Sequence, residues 1–336
     1  MGNTDVITKQ YTSDNEVFAD AFNYLIYHGM PIINPTQLTE LDTASLALLH
    51  DKGKKVHTVA KIRDVFRSLT VKHDANAAYV LLGIENQTDI HYAMPVRNMV
   101  YDALEYARQV TETAKRHKKS KDYQKLSANE YLSGFFRKDK LIPVITLVIH
   151  FSPEKWNAPL SIHEMLKSSD EHILSFTNDY KIHLLSPSNL NEEDLSKFHS
   201  SLKEVLGFIK YSRQEEKLNS FINNNKCFEH INKEAVSVIN TCTGYDFQFE
   251  EDKEEINMCQ AIADMKKHSF EAGMEAGMEK QIIELITKKL CRKKSVDAIA
   301  DELEQEPSYV QSVCQIITEH PEAGSDKIYE LLRSRQ

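Results

Sequence analysis

The stretch Ala78-Tyr79-Val80-Leu81-Leu82-Gly83-Ile84-Glu85-Asn86-Gln87 decides the fold, because an apolar run of strand length ends abruptly in three polar residues. Side chains alternate along a strand, so Glu85 and Gln87 project to one face and Asn86 to the other. Upstream, Asp64-Val65-Phe66-Arg67-Ser68-Leu69-Thr70-Val71 has the β-branched and aromatic content of a second strand. It is the latter half of an extended segment over 56–71. Lys72 to Ala77 separates the two runs, which predicts a hairpin. If Asp64 ends the neighbouring strand, two carboxylates and an amide converge on one spot. Such a set suits a hard divalent cation, since Mg2+ takes oxygen ligands and is usually held by one or two carboxylates with substrate phosphate and water. That chemistry points to phosphodiester cleavage; a solvated polar end to a buried strand is the plainer alternative.

Working outward, Asp14 to Tyr27 opens on a capping residue and carries Val17, Phe18, Phe22, Leu25 and Ile26 at helical spacing. Residues 31–54 read as loop with one short helix near 43–49. Beyond the polar cluster, Val96, Met99, Val100, Leu104, Ala107 and Val110 predict a helix over 94–115, with Pro95 tolerated in its first turn. Ile142 to Phe151 is apolar on both faces, as suits a covered central strand. The order helix, strand, strand, helix, strand gives an α/β domain over 1–190, a mixed sheet flanked by helices.

Helical periodicity then takes over. Residues 191–250 form a helical extension, with helices expected over 195–211, 216–223 and 234–241. Residues 251–336 form a helical tail whose long helix, 256–290, is interrupted by Gly273 and Gly277. Stacked one turn apart, these glycines suit either close approach of a second helix or a bend. Ser295 and Ser308 stand where N-caps belong for two short helices with a helix-turn-helix layout. Residues 295–320 carry acids and no Lys or Arg, so they read as a helical packing module rather than a reader of DNA.

Composition bounds the function. With 336 residues, 41% hydrophobic and 27% charged, the chain can bury a real core. Its longest apolar run, Leu141 to Phe151, is too short to span a bilayer, and its first residues lack a secretory or myristoylation pattern, which points to a cytoplasmic protein without a membrane partner. Five cysteines in no CxxC pair argue against a zinc site. A net charge of −9 disfavours coating nucleic acid by bulk electrostatics. Locally, however, Lys115, Arg116, Lys118, Lys119, Lys121 and Lys125 cluster, either as a phosphate-backbone contact or as a solvated helix end.

Several segments taken in order, Phe18-Ala-Asp-Ala-Phe-Asn-Tyr-Leu, Arg63-Asp-Val, Leu82-Gly-Ile-Glu-Asn-Gln, Tyr92-Ala-Met-Pro-Val-Arg-Asn-Met-Val-Tyr and Ile142-Pro-Val-Ile-Thr-Leu-Val-Ile-His-Phe with Trp156, resemble the recombination-promoting nuclease/putative transposase (Rpn) family. That family belongs to the PD-(D/E)XK nuclease superfamily. The resemblance spans residues 14–190, and the Glu-Ala-Gly-Met-Glu repeat is similar to the tail such proteins carry. It implies a restriction-endonuclease-like core and a metal-dependent DNA endonuclease linked to recombination or mobile elements. Asp64 then matches the pattern's aspartate, Glu85 its Asp/Glu and Gln87 the position usually held by Lys. A neutral amide there can orient water and donate a hydrogen bond but brings no charge.

The mechanism this implies is hydrolysis by water activated on Mg2+, for which Mn2+ or Ca2+ could substitute, held by Asp64, Glu85 and the Asn86 backbone carbonyl. Asp20, with Glu16 on the same helix face, resembles the acidic residue the superfamily often places on such a helix near the metal; an exposed acidic helix face is the plainer alternative. Arg97 and Tyr101, four residues apart, could clamp and orient a phosphate, or simply pack the helix on the sheet. Lys115, Arg116, Lys118 and Lys119 would track the DNA backbone. His28, His91 and His150 lack partners at ligand spacing and read as structural, as does Trp156. The competing expectation is a catalytically degenerate nuclease fold acting in DNA binding or assembly, with homo-oligomers formed through the C-terminal helices.

Overall fold

The computed structural model describes residues 3–41, 64–73, 76–121, 127–249 and 253–334. The chain divides into two compact units, Met1–Cys259 and Gln260–Gln336. The helix expected near 43–49 and the part of the extended segment before Asp64 lie outside the described residues.

The first unit opens with helices α1 (Asn3–Thr12) and α2 (Asn15–Tyr27). Asp14 caps α2 by accepting from the Glu16 and Val17 amides, and the helix ends at His28 in a left-handed conformation. Strands β1 (Leu38–Glu40), β2 (Val65–His73) and β3 (Asn76–Gln87) come next, followed by α3 (Met94–Ser120), α4 (Ala128–Ser133), β4 (Val144–His150), α5 (Glu171–Leu174) and β5 (His183–Leu185). They form one five-stranded sheet in the order β1-β2-β3-β4-β5. The β1–β2 and β2–β3 pairs are antiparallel, whereas β3–β4 and β4–β5 are parallel. The mixed sheet with flanking helices is therefore as expected. Buried Leu147, Val148 and Ile149 put β4 in the covered interior. The short edge strands β1 and β5 carry too few residues to show a period, and the sequence reading missed them.

Helices α6 (Glu192–Ser196), α7 (Leu202–Tyr211), α8 (Glu215–Asn223) and α9 (Lys233–Thr243) complete the unit, with a small ladder of β6 (Ile231–Asn232) and β7 (Glu255–Ile256). The expected helix over 195–211 is thus two helices. Helix α1 packs on α9 and against β3, and α7 on α9, so this helical stretch shares the first unit's core. Where α7 meets α8, a β-carbon on Gly207 would lie 2.1 Å from the Phe221 ring.

Helix α3 is inverted relative to the usual amphipathic helix. Its inward face is polar, with Asn98, Asp102, Glu105 and Gln109 buried. Asp102 accepts from Thr146 at 2.8 Å and from Tyr180 at 2.6 Å. Gln109 accepts from the Ile142 amide at 2.7 Å and donates to its carbonyl at 3.2 Å. Tyr106 accepts from the Val144 amide at 3.1 Å. These bonds dock α3 on β4 and its approach. The apolar positions that predicted the helix, Val96, Met99, Val100 and Val110, instead lie exposed.

The second unit contains most of α10 (Met258–Cys291), with α11 (Val296–Leu303), α12 (Pro307–Glu319) and α13 (Ser325–Arg333). Ile283, Ile286, Ile299, Val310, Val313, Ile316, Ile328 and Leu332 make its core. Ser295 caps α11, but α12 begins at Pro307, so Ser308 lies inside the helix and Glu306 takes the cap position. Proline suits the first helical turn, where its missing N–H costs nothing. Side-chain hydrogen bonds from Lys289 and Lys294 hold the Glu302 carboxyl down at about 2. Apart from the helix's own nearby backbone, no described atom lies within 4 Å of where a β-carbon on Gly273 or Gly277 would stand, so no second helix among the described residues approaches closely there.

Gly207→Ala should lower stability by about 1–3 kcal/mol through overpacking against Phe221, read from the urea midpoint, while Gly244→Ala, at a positive φ of 77° with open space around it, should cost only through backbone strain.

Candidate functional site

The antiparallel register carries the site. Val65 pairs with Ile84, so Asp64, one step beyond, stands opposite Glu85. Directly opposed residues share a face with β-carbons about 4.5–5.5 Å apart. Asp64 turns its Oδ2 to accept from the Asn86 amide at 2.9 Å. Glu85 is fully buried, and Arg97 Nη2 lies 3.0 Å from its Oε2. The Arg97 Nε donates to the Tyr101 hydroxyl at 2.7 Å.

Electrostatics binds these four side chains together. Burial acts to lower the Arg97 pKa, but the Glu85 charge, the Tyr101 hydrogen bond and the Asp64 charge outweigh it and raise the value. Tyr101 is raised by burial and by Glu85, so its hydroxyl stays protonated. A buried carboxylate needs such a partner, because removing one member of a buried pair leaves an uncompensated charge. Arg97 and Tyr101 come from the first two turns of α3, which the polar seam holds against the sheet.

Asn86 faces away, as strand alternation predicts, and its Nδ2 donates to Thr12 Oγ1 of α1 at 2.9 Å. Gln87 does not reach across to the carboxylates: its Nε2 donates to the Asn86 carbonyl at 2.7 Å. That carbonyl, an expected metal ligand, thus already accepts a bond from the neighbouring side chain.

Asp20, the acid of the first helix face, is taken up by the chain before α7. It accepts from the His199 amide at 2.9 Å, the Ser200 amide at 2.8 Å and the Ser200 hydroxyl at 2.7 Å. It therefore fastens α2 to the chain entering α7. Lys115, Arg116, Lys118 and Lys119 are exposed in the last turns of α3, where cations also suit the helix dipole. Between them His117 is buried, 2.9 Å from Asp139 and stacked on Phe136, which anchors this basic end. His150 sits edge-on to Trp156 and 3.3 Å from Ser186 Oγ, and burial lowers its pKa.

Two charged residues that sequence reasoning did not single out, Lys9 and Glu40, line a cavity of about 350 Å³ with Ser13, Leu41, Asp64, Val65 and Phe66. Glu40 also lies 3.3 Å from the buried guanidinium of Arg67. Neither stands beside a motif; only the pairing of β1 with β2 brings Glu40 near. Among the described residues, no group of three or more His, Cys, Asp or Glu gathers as a metal cage. Two opposed carboxylates still fit Mg2+, which keeps several waters and asks for one or two such ligands. No helix among the described residues is long and apolar enough to cross a membrane. No family model matches the chain, and no curated protein and no solved structure matches it.

Asp20→Ala should destabilise the first unit by about 1–3 kcal/mol, because it leaves the His199 and Ser200 amides without their charged acceptor; an unchanged denaturation midpoint would show that Asp20 is not a structural fastener.

Proposed function

We propose that this chain is a metal-dependent DNA endonuclease of the Rpn kind, hydrolysing phosphodiester bonds in recombination or mobile-element chemistry. The observation that carries the reading is that Asp64, just past the end of the β2–β3 ladder, accepts from the amide next to Glu85, with both carboxylates acting on Arg97 and with Tyr101 on the same cluster. Asp64 and Glu85 would hold Mg2+, or Mn2+ or Ca2+ in its place, and a bound cation would supply Lewis acidity and a hydroxide nucleophile. Arg97 has the planar fork that matches a phosphate, and Tyr101 orients it from the adjacent turn. The Gln87 amide can position water without adding charge. Lys115, Arg116, Lys118 and Lys119 form the exposed basic ridge that would follow the DNA backbone.

A second reading has its own observation. Arg97 already neutralises Glu85, and a carboxylate so occupied is what a degenerate nuclease fold used for DNA binding or assembly would retain. In that case the helical tail would carry oligomerisation.

Incubation with supercoiled plasmid in Mg2+ or EDTA separates the two. The expected outcome is Mg2+-dependent nicking that falls at least 100-fold (about 2.7 kcal/mol in transition-state stabilisation) in Asp64→Ala and Glu85→Gln, with folding retained by circular dichroism. Nicking at the unaltered rate by either variant, or none by the natural chain, would reject the endonuclease. Replacing the four ridge residues by Ser should reduce the slope of log affinity against log salt by up to about 3.6, measured by fluorescence anisotropy on labelled duplex.

A further inference from the structure

The outward face of α3 carries a stripe with no charge on it. Val96, Val100, Ala103, Ala107 and Val110 recur at alternating spacings of four and three residues, the seam of a helix that packs along another helix. Val96 is 38% exposed, Val100 37% and Val110 36%, while Ala103 and Ala107 are also exposed. Met99, Leu104, Tyr106 and Thr111 flank the seam, and the one charged residue on these borders is Arg97, whose guanidinium is turned to Glu85. The opposite face, which binds the sheet, carries the buried Asn98, Asp102, Glu105 and Gln109.

The stripe is its own antiparallel complement. Turned about a two-fold axis at residue 105, Val100 meets Val110 and Ala103 meets Ala107, while Val96 reaches the level of Ala114, which Gly134 of its own chain partly covers. This is the isologous pairing that a symmetric dimer requires, and the small central residues let the two helices approach closely. Charge selects the same orientation. Side by side, two α3 helices would stack their Lys115, Arg116, Lys118 and Lys119 ends on each other, whereas the antiparallel arrangement holds those ends about 36 Å apart and sets opposed helix dipoles together. The apolar surface continues at one end: a β-carbon on Gly134 would lie 2.9 Å from Ala114 Cβ, and Leu132 of α4, two residues before it, is 81% exposed. Covering the seam, its flanks and Leu132 on two copies would bury on the order of 1,000 Å², the size at which specific interfaces begin.

We propose that α3 is the interface of an antiparallel homodimer, with a second copy of this chain seated along Val96, Val100, Ala103, Ala107 and Val110. The surface belongs to the first unit, and the dimer stands or falls independently of nuclease activity.

Light scattering on the full chain should give twice 38.6 kDa, with Val100→Glu and Ala107→Glu raising the dissociation constant at least 10-fold and the exposed Glu112→Lys, off the seam, leaving it unchanged. Register is read by cross-linking in a background with the exposed Cys227 and Cys291 replaced by Ser. A mixture of Val100→Cys and Val110→Cys chains should form a disulfide-linked dimer on mild oxidation, and neither chain should do so alone. A monomer would overturn the proposal, placing something else over the stripe. A dimer indifferent to Val100→Glu, or cross-linking of Val100→Cys with itself, would overturn it equally.

Discussion

Everything around the site rests on the polar seam between α3 and the sheet. A helix normally meets a sheet through apolar contacts, which are forgiving of rotation; α3 instead meets it through Asp102, Tyr106 and Gln109, whose hydrogen bonds fix both rotation and register. Arg97 can then sit 3.0 Å from a fully buried carboxylate only because the helix that carries it cannot turn. The seam has its own cost. Asn98 lies in it with neither polar side-chain atom hydrogen-bonded, a burden of about 1–3 kcal/mol that the satisfied neighbours must offset.

The two faces of the polar strand end then divide the work. Glu85 looks toward α3 and a cation, while Asn86 looks toward α1 and a hydroxyl. A single strand thus ties both helical layers to the sheet where its buried run stops. Asp64 joins the cluster from the next strand and accepts from the Asn86 amide, so the edge of the β2–β3 ladder is closed by a carboxylate rather than left open.

Much of the sheet was legible because β3 and β4 are long apolar runs and Asp64 and Glu85 stand at matching ends of a hairpin. Periodicity also found α2, α3 and the tail helices. It did not tell which way α3 faces, since helical spacing reveals an apolar stripe without saying whether the protein's own core covers it. The site was legible in Asp64 and Glu85 but not in its pairing: nothing in the spacing of Glu85 and Arg97 distinguishes an ion pair from a ligand beside a phosphate clamp. Asp20 sits on a helix face that sequence alone cannot orient, and the chain that takes up its oxygens, His199 and Ser200, comes from far along the sequence. Helix α1, which supplies Thr12, escaped because Asn3 to Thr12 has no clear apolar face.

The guanidinium against Glu85 also sets how this pocket can be controlled. Arginine keeps its proton throughout the physiological range, and here its environment raises its pKa further. Loss of the arginine proton therefore offers no handle for releasing the carboxylate. Any dication that takes Glu85 must do so by exchange, displacing one resident positive group with another, so occupancy would answer to the concentrations of competing ions and to whatever anion draws the arginine away.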